Sequence, residues 1–127
     1  LFPTITDYVG IKNNNLIDGK SLMPVFENQN KLDRSEVFWH FPHYHGSLWK
    51  PGSAVRVGNY KLIHFYESNQ SELYNLKEDA GEKNDLSLIY PEKTKELLNR
   101  LIILKEEMNA NSVKINPNFK SKKDQKQ

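Results

Sequence analysis

The 127-residue sequence predicts an α+β domain, a four-stranded antiparallel sheet covered on one face by a long C-terminal helix. Three observations carry this expectation. Between residues 36 and 76, four short runs rich in β-branched and aromatic residues are joined by brief connections, a pattern that suits a meander rather than parallel strands. The middle two are separated only by Gly58-Asn59, a two-residue hairpin turn. After Pro91, Leu97, Leu101, Leu104 and Met108 recur at i, i+4, i+7 and i+11, which is helical spacing.

Taken in order, Leu1, Phe2, Ile5, Thr6 and Val9 share one face of a short helix with Pro3 in its first turn and Gly10 as a left-handed cap. Residues 11–18 read as loop, with Asn13-Asn14-Asn15 at the tip. Ser21–Phe26 reads as a helical turn burying Leu22, Met23 and Phe26. The strands are Glu36–Phe41, stopped by Pro42, then Ser53–Val57, Tyr60–Glu67 and Ser71–Leu76. Residues 77–84 are charged and contain Gly81, so they form a loop. Pro91 opens a helix running to about Asn109, in which Leu98 and Ile102 widen the apolar stripe and Ile103 lies off it. Residues 1–109 make one subdomain, and residues 110–127 a basic, poorly ordered tail.

Composition narrows the chemistry. The chain has no cysteine, which excludes disulfides, thiolate metal sites and thiol nucleophiles. Its net charge of +2 is uneven: the last 18 residues hold five lysines and one acid, leaving the remainder at −2. Without arginine or periodicity, that tail does not read as a nucleic-acid surface. No run approaches the roughly 20 apolar residues that span a membrane. Leu1 is not an initiator methionine, and residues 1–10 do not have the form of a signal peptide. The apolar fraction of 37% is low for a globular domain. Either the core is modest, or part of the surface packs against something outside the chain.

The densest chemistry is His40-Phe41-Pro42-His43-Tyr44-His45-Gly46, followed by Trp49, with three of the four histidines inside six positions. Three readings are open. Imidazoles at i, i+3 and i+5 can converge on a metal, although strand alternation opposes His40 and His43 unless Pro42 turns the chain. Imidazole, phenol and indole on one loop also suit a polar, anionic or sugar-like ligand. The plainest reading is a strand end whose aromatics pack and whose histidines are solvated. Arg56 and Lys61 beside the turn could bind an anion but read first as a solvated pair, and His64 reads as a satisfied strand histidine. Glu78, Asp79, Glu82 and Asp85 lack the spacing of an EF-hand, and no phosphate loop, nucleophile elbow or H-E-x-x-H occurs.

The order of segments resembles the sulfatase family. Leu1-Phe2-Pro3-Thr4-Ile5 with Gly10-Ile11 is similar to its D-L-x-P-T-x-x-x-x-x-G-I run, and Asp18–Pro24 to D-G-x-S-L-x-P. Ala54–Ile63 resembles the R-x-G-x-Y-K-L-I hairpin. Glu72–Leu76 with Asp79, Glu82, Asn84 and Leu86 resembles E-L-Y-[DN]-L-x-x-D-P-x-E-x-x-N-L. The helix after Pro91 and the Asn116-Pro117-Asn118-Phe119 ending fit as well, whereas Ala80-Gly81 departs from the family's usual proline.

The resemblance implies the C-terminal subdomain of a formylglycine-dependent sulfatase, with the N-terminal catalytic domain of the same chain as its partner. That domain would hold calcium and a formylglycine made from C/S-x-P-x-R, neither of which matches a residue here. No catalytic or metal residue is therefore assigned to this chain, which is expected to be inert alone. His43, Tyr44, His45 and Trp49 are the candidate substrate-binding residues, facing a sulfated sugar or aryl group. The compartment is unknown from these residues; the resemblance implies a periplasmic or secreted parent. A self-contained carbohydrate- or metal-binding module and a part of a related phosphoryl-transfer enzyme are the alternatives.

Overall fold

The computed structural model describes residues 1–12, 17–27, 29, 34–46 and 49–114. The predicted Asn13-Asn14-Asn15 tip, the Asn116–Phe119 ending and the tail beyond residue 114 lie outside the described residues. The chain divides into two compact units, residues 1–36 and 37–127.

In the first unit, helix α1 spans Phe2–Tyr8 and the single turn α2 spans Met23–Phe26. Pro3 sits in the first turn of α1, where its missing N–H costs no helical bond. The helix ends in a Schellman motif. Gly10, at φ 71°, donates its N–H to Asp7, and the N–H of Ile11 reaches back to Thr6.

The expected apolar face of α1 is not the buried one. Phe2, Ile5 and Val9 are all more than half exposed, and Thr4 is buried in their place. The reason is local: Thr4 Oγ1 accepts the Leu22 N–H at 3.1 Å, and Ser21 Oγ donates to Asp7 at 2.7 Å. These polar links turn the Thr4 side of α1 toward α2. Phe26, expected inside, is 66% exposed for the same reason: a single turn buries only the side it presents to α1.

The second unit is the predicted sheet and helix. Strands β1 (Glu36–Phe41), β2 (Gly52–Val57), β3 (Tyr60–Phe65) and β4 (Gln70–Asn75) lie in the order β1-β2-β3-β4, followed by α3 (Pro91–Glu107). The β2–β3 register places Val55 opposite Leu62 and Val57 opposite Tyr60, which leaves Gly58-Asn59 as the whole turn. Gly58 carries the turn's positive φ, 58°, as the first residue of a type II′ hairpin requires.

Alternation along the strands gives the sheet two different faces. Val55, Leu62 and Leu73 meet Leu97, Leu101 and Leu104 of α3, with Phe38, Val57 and Leu98 packed around them. Ala54, Ile63 and Tyr74 gather on the opposite face with Phe65 and Leu76.

Two stripe residues expected inside are exposed. Met108 is the C-cap of α3, where Asn109 at φ 47° closes a second Schellman motif onto Glu106 and Lys105, so its side chain leaves the stripe. Ile102 lies about 140° around the helix from Leu97, too far to reach the sheet. Ile103 is off the stripe as expected, and half-exposed.

The acidic loop after β4 is built for folding. Asp79 Oδ2 accepts the N–H groups of Lys83 and Asn84 at 2.7 and 2.8 Å, and the Asn84 bond above all holds its carboxyl below the usual range. Asp85 Oδ1 takes the Leu73 N–H at 3.0 Å, while Leu86 donates its N–H to the Leu73 carbonyl. Together these cover the outer edge of β4, which would otherwise offer free backbone groups. Burial pushes the Asp85 carboxyl up, but the N–H groups of Leu73 and Ser87 outweigh it and the net direction is down. Lys61, expected to be solvated, pairs with Glu82 at 2.7 Å and lies over the Trp39 ring at 5.9 Å. Among the described residues, no helix is long and apolar enough to cross a membrane.

Candidate functional site

The face of the sheet turned away from α3 carries the candidate loop. Phe38 packs on the helix side, so Trp39 and Phe41 alternate with it and project the other way. Both are partly exposed. Pro42 ends β1, and the chain then folds back over Phe41. The His43 ring stands edge-on to Phe41 at 5.7 Å and 90°, and the His45 ring does so at 6.3 Å and 71°. The His45 N–H donates to the Trp49 carbonyl at 3.3 Å, which closes the loop on itself.

Tyr44 hydroxyl donates to Glu67, just past the end of β3. That hydrogen bond is the largest cause raising the phenol's ionisation above the usual tyrosine value. Trp49 leans on Phe65 with ring centres 6.3 Å apart. Beside it lies an open hollow of about 320 Å³ lined by Trp49, Lys50, Phe65, Ser68, Gln70 and Glu72. At the buried end of this face, Tyr74 hydroxyl donates to Glu72 at 2.9 Å. Burial first, and that bond second, push its ionisation far up, so it remains a neutral donor.

All four candidate residues, His43, Tyr44, His45 and Trp49, therefore lie on one stretch of surface. His40 does not join them. Its Nδ1 is 2.8 Å from both Ser53 Oγ and Tyr66 hydroxyl, and its Nε2 is 2.7 Å from the Asn111 carbonyl, on the α3 side of the sheet. The three clustered histidines are split between two faces and do not converge. No group of three potential metal ligands occurs among the described residues. Ser53 and His40 resemble a nucleophile and base by distance alone. Ser53 is buried, and its hydroxyl is committed to His40 and Tyr66, so the pair joins β1, β2 and the chain after α3.

Glu67, Phe65 and the framing role of Phe41 were not apparent from sequence. Alternation in β1 and β3 does place Phe41 and Phe65 on one face. Nothing local links Glu67 to Tyr44, because the contact spans 23 residues.

His64, read as a satisfied strand histidine, is partly buried and 3.0 Å from Ser71 Oγ. Burial chiefly, and Lys105 secondarily, lower its pKa below 6.5. A depressed histidine pKa means that the unfolded chain binds the proton more readily. The neutral ring's contribution is whole above pH 6.5 and is lost as pH falls through the lower folded value. Thermal stability is thus expected to fall on acidification below about pH 6.5, with a slope of at most about 1.4 kcal/mol per pH unit from this group. His64→Gln should flatten that part of the curve; an unchanged slope would remove His64 as its source.

Comparison with known proteins agrees with this architecture. Residues 1–114 match the family model described as N-sulphoglucosamine sulphohydrolase, C-terminal. The chain is 36% identical over 96 residues to a sulfatase of Formosa agariphila, covering 67% of this chain and 17% of that protein. It is 34% identical over 106 residues to an N-acetylglucosamine-6-O-sulfatase of Bacteroides thetaiotaomicron, covering 78% of this chain and 19% of the relative. A solved structure in complex with its substrate D-glucosamine-2-N,6-O-disulfate superposes with a TM-score of 0.69 at 31% identity, over 87% of this chain and 24% of that one. The chain thus spans about a fifth of the length of the curated relatives it matches. With the family match covering the hairpin, the acidic loop and the sheet-covering helix, the chain belongs to the sulfatase C-terminal family.

Proposed function

We propose that this chain is the substrate-side subdomain of a sulfatase that hydrolyses a sulfate ester of a carbohydrate, with the nucleophile in an N-terminal catalytic domain of the same protein. The observation that carries the reading is the gathering of His43, Tyr44, His45 and Trp49 on the sheet face that α3 leaves open. Exposed apolar side chains give further support to a covering domain: Phe2, Ile5 and Val9 in the first unit, Trp39 and Phe41 in the second.

Formylglycine and calcium belong to that catalytic domain. The residues present here do not fit them: the chain has no cysteine and no serine in S-x-P-x-R, and its described residues offer no cluster of ligands for an ion. The contribution of this chain is recognition. Imidazole N–H groups of His43 and His45 donate to sulfate or hydroxyl oxygens, bonds that strengthen toward charged acceptors. Trp49 offers a flat apolar face to a sugar ring, and the Tyr44 phenol adds a second. The sugar reading draws on the saccharide substrates named for the relatives.

The test is His43→Ala combined with His45→Ala in the full-length protein, with kcat/KM measured on a sulfated sugar. A large loss carried mainly by KM supports the reading, and an unchanged kcat/KM ends it.

A further inference from the structure

We infer that Glu67 is a positioning residue, which fixes the Tyr44 phenol and with it the ligand-facing loop against the end of β3. The inference rests on the loop being the ligand site. Several links among the described residues hold that loop. Two are internal or nearly so: the Phe41 ring supports both histidines from the preceding strand, and His45 closes onto Trp49. Trp49 in turn leans on Phe65, so this closure reaches β3 through the far end of the loop. Glu67 adds a direct polar tie at Tyr44, joining a loop that follows β1 to the connection between β3 and β4.

The geometry suits the task. The β3–β4 connection is short, and Asn69 at φ 54° holds it in a left-handed turn. Glu67 and Ser68 are consecutive. One accepts the hydrogen bond from the Tyr44 hydroxyl and the other lines the hollow beside Trp49. The same turn therefore sets one aromatic of the site and one wall of the adjacent hollow. With its hydroxyl donating to Glu67, Tyr44 presents a ligand with an acceptor oxygen and a ring face, and its N–H donors come from the histidines. An anionic oxygen is accordingly steered toward His43 and His45 and away from Tyr44 and Glu67.

Glu67 is exposed, so Glu67→Gln leaves the core intact and changes only the acceptor. The experiment compares Tyr44→Phe, Glu67→Gln and the double variant in the full-length protein. The readouts are ultraviolet difference titration of tyrosinate and steady-state kinetics on a sulfated monosaccharide. Tyr44→Phe identifies the Tyr44 signal by its loss. Glu67→Gln is expected to move that signal to lower pH and to raise KM by roughly 3- to 10-fold with kcat little changed, the scale of one hydrogen bond. The double variant should be no worse than Tyr44→Phe, because Glu67 acts through Tyr44.

A Tyr44 titration unmoved in Glu67→Gln overturns the inference, as does a further loss when Glu67→Gln is added to Tyr44→Phe. If the titration moves while Tyr44→Phe leaves KM untouched, the anchor stands and the ligand role of Tyr44 falls.

Discussion

Leu101→Ala is expected to cost about 2–5 kcal/mol of stability, the range for emptying a buried leucine site that cannot collapse. Leu101 is 1% exposed and sits in the layer where α3 meets Val55, Leu62 and Leu73. Leu97 and Leu104 flank it one turn away on either side, and three strands lie beneath, so little can move in to fill the space. This layer is the only large fully buried apolar cluster among the described residues of the second unit, since the other face holds just Ala54, Ile63 and Tyr74. With total stability of a domain typically about 5–15 kcal/mol, such a loss should lower the unfolding temperature by roughly 10–20 °C. Ile103→Ala, on the half-exposed side of the same helix, should shift it far less. Circular dichroism melts of both variants make the comparison. Equal effects would mean that α3 is not seated on the sheet as described.

The second large effect is on the proposed recognition of sulfate. Removing an imidazole that donates to a charged oxygen forfeits about 1.5–3 kcal/mol, or roughly 10- to 100-fold in kcat/KM for each histidine. His43 and His45 share the Phe41 ring, so their losses should couple rather than simply add. The loss should appear chiefly in KM, because these groups hold the ligand and the reacting bond lies with the catalytic domain. Lys93→Ala provides the control. It lies on α3, pairs with Glu96 and has no part in the open face, so kcat/KM should be unchanged.

The legible parts of this fold were those governed by local spacing. The Gly58-Asn59 turn, the alternation of Val55 and Leu62, and the stripe of Leu97, Leu101 and Leu104 each announce their partners within a few residues. Misreadings came where a tertiary contact outranked a local pattern. Thr4 displaced the apolar face of α1 because a hydrogen bond from Leu22, 18 residues away, chose the buried side. Met108 fitted the periodicity but fell where Asn109 ends the helix. Lys61 looked solvated because Glu82, its partner, is 21 residues on.

The candidate site followed the same division. Its loop stood out by composition, and strand alternation already set His40 against His43. Which way each histidine is satisfied depended on Ser53, Tyr66 and Asn111, and the anchor at Glu67 on a contact between two distant turns. The acids of residues 78–85, similar in type to a cation loop, proved to hold the edge of β4 and a tight turn.

The most direct test is hydroxyl-radical footprinting of the full-length protein, with and without a saturating sulfated monosaccharide, read residue by residue over 41–49. If this chain forms the substrate wall, His43, Tyr44, His45 and Trp49 lose reactivity together as ligand saturates, while exposed Met108 at the end of α3 does not change. Unaltered labelling of all four, under conditions where the enzyme turns the sugar over, would place recognition elsewhere and contradict the account.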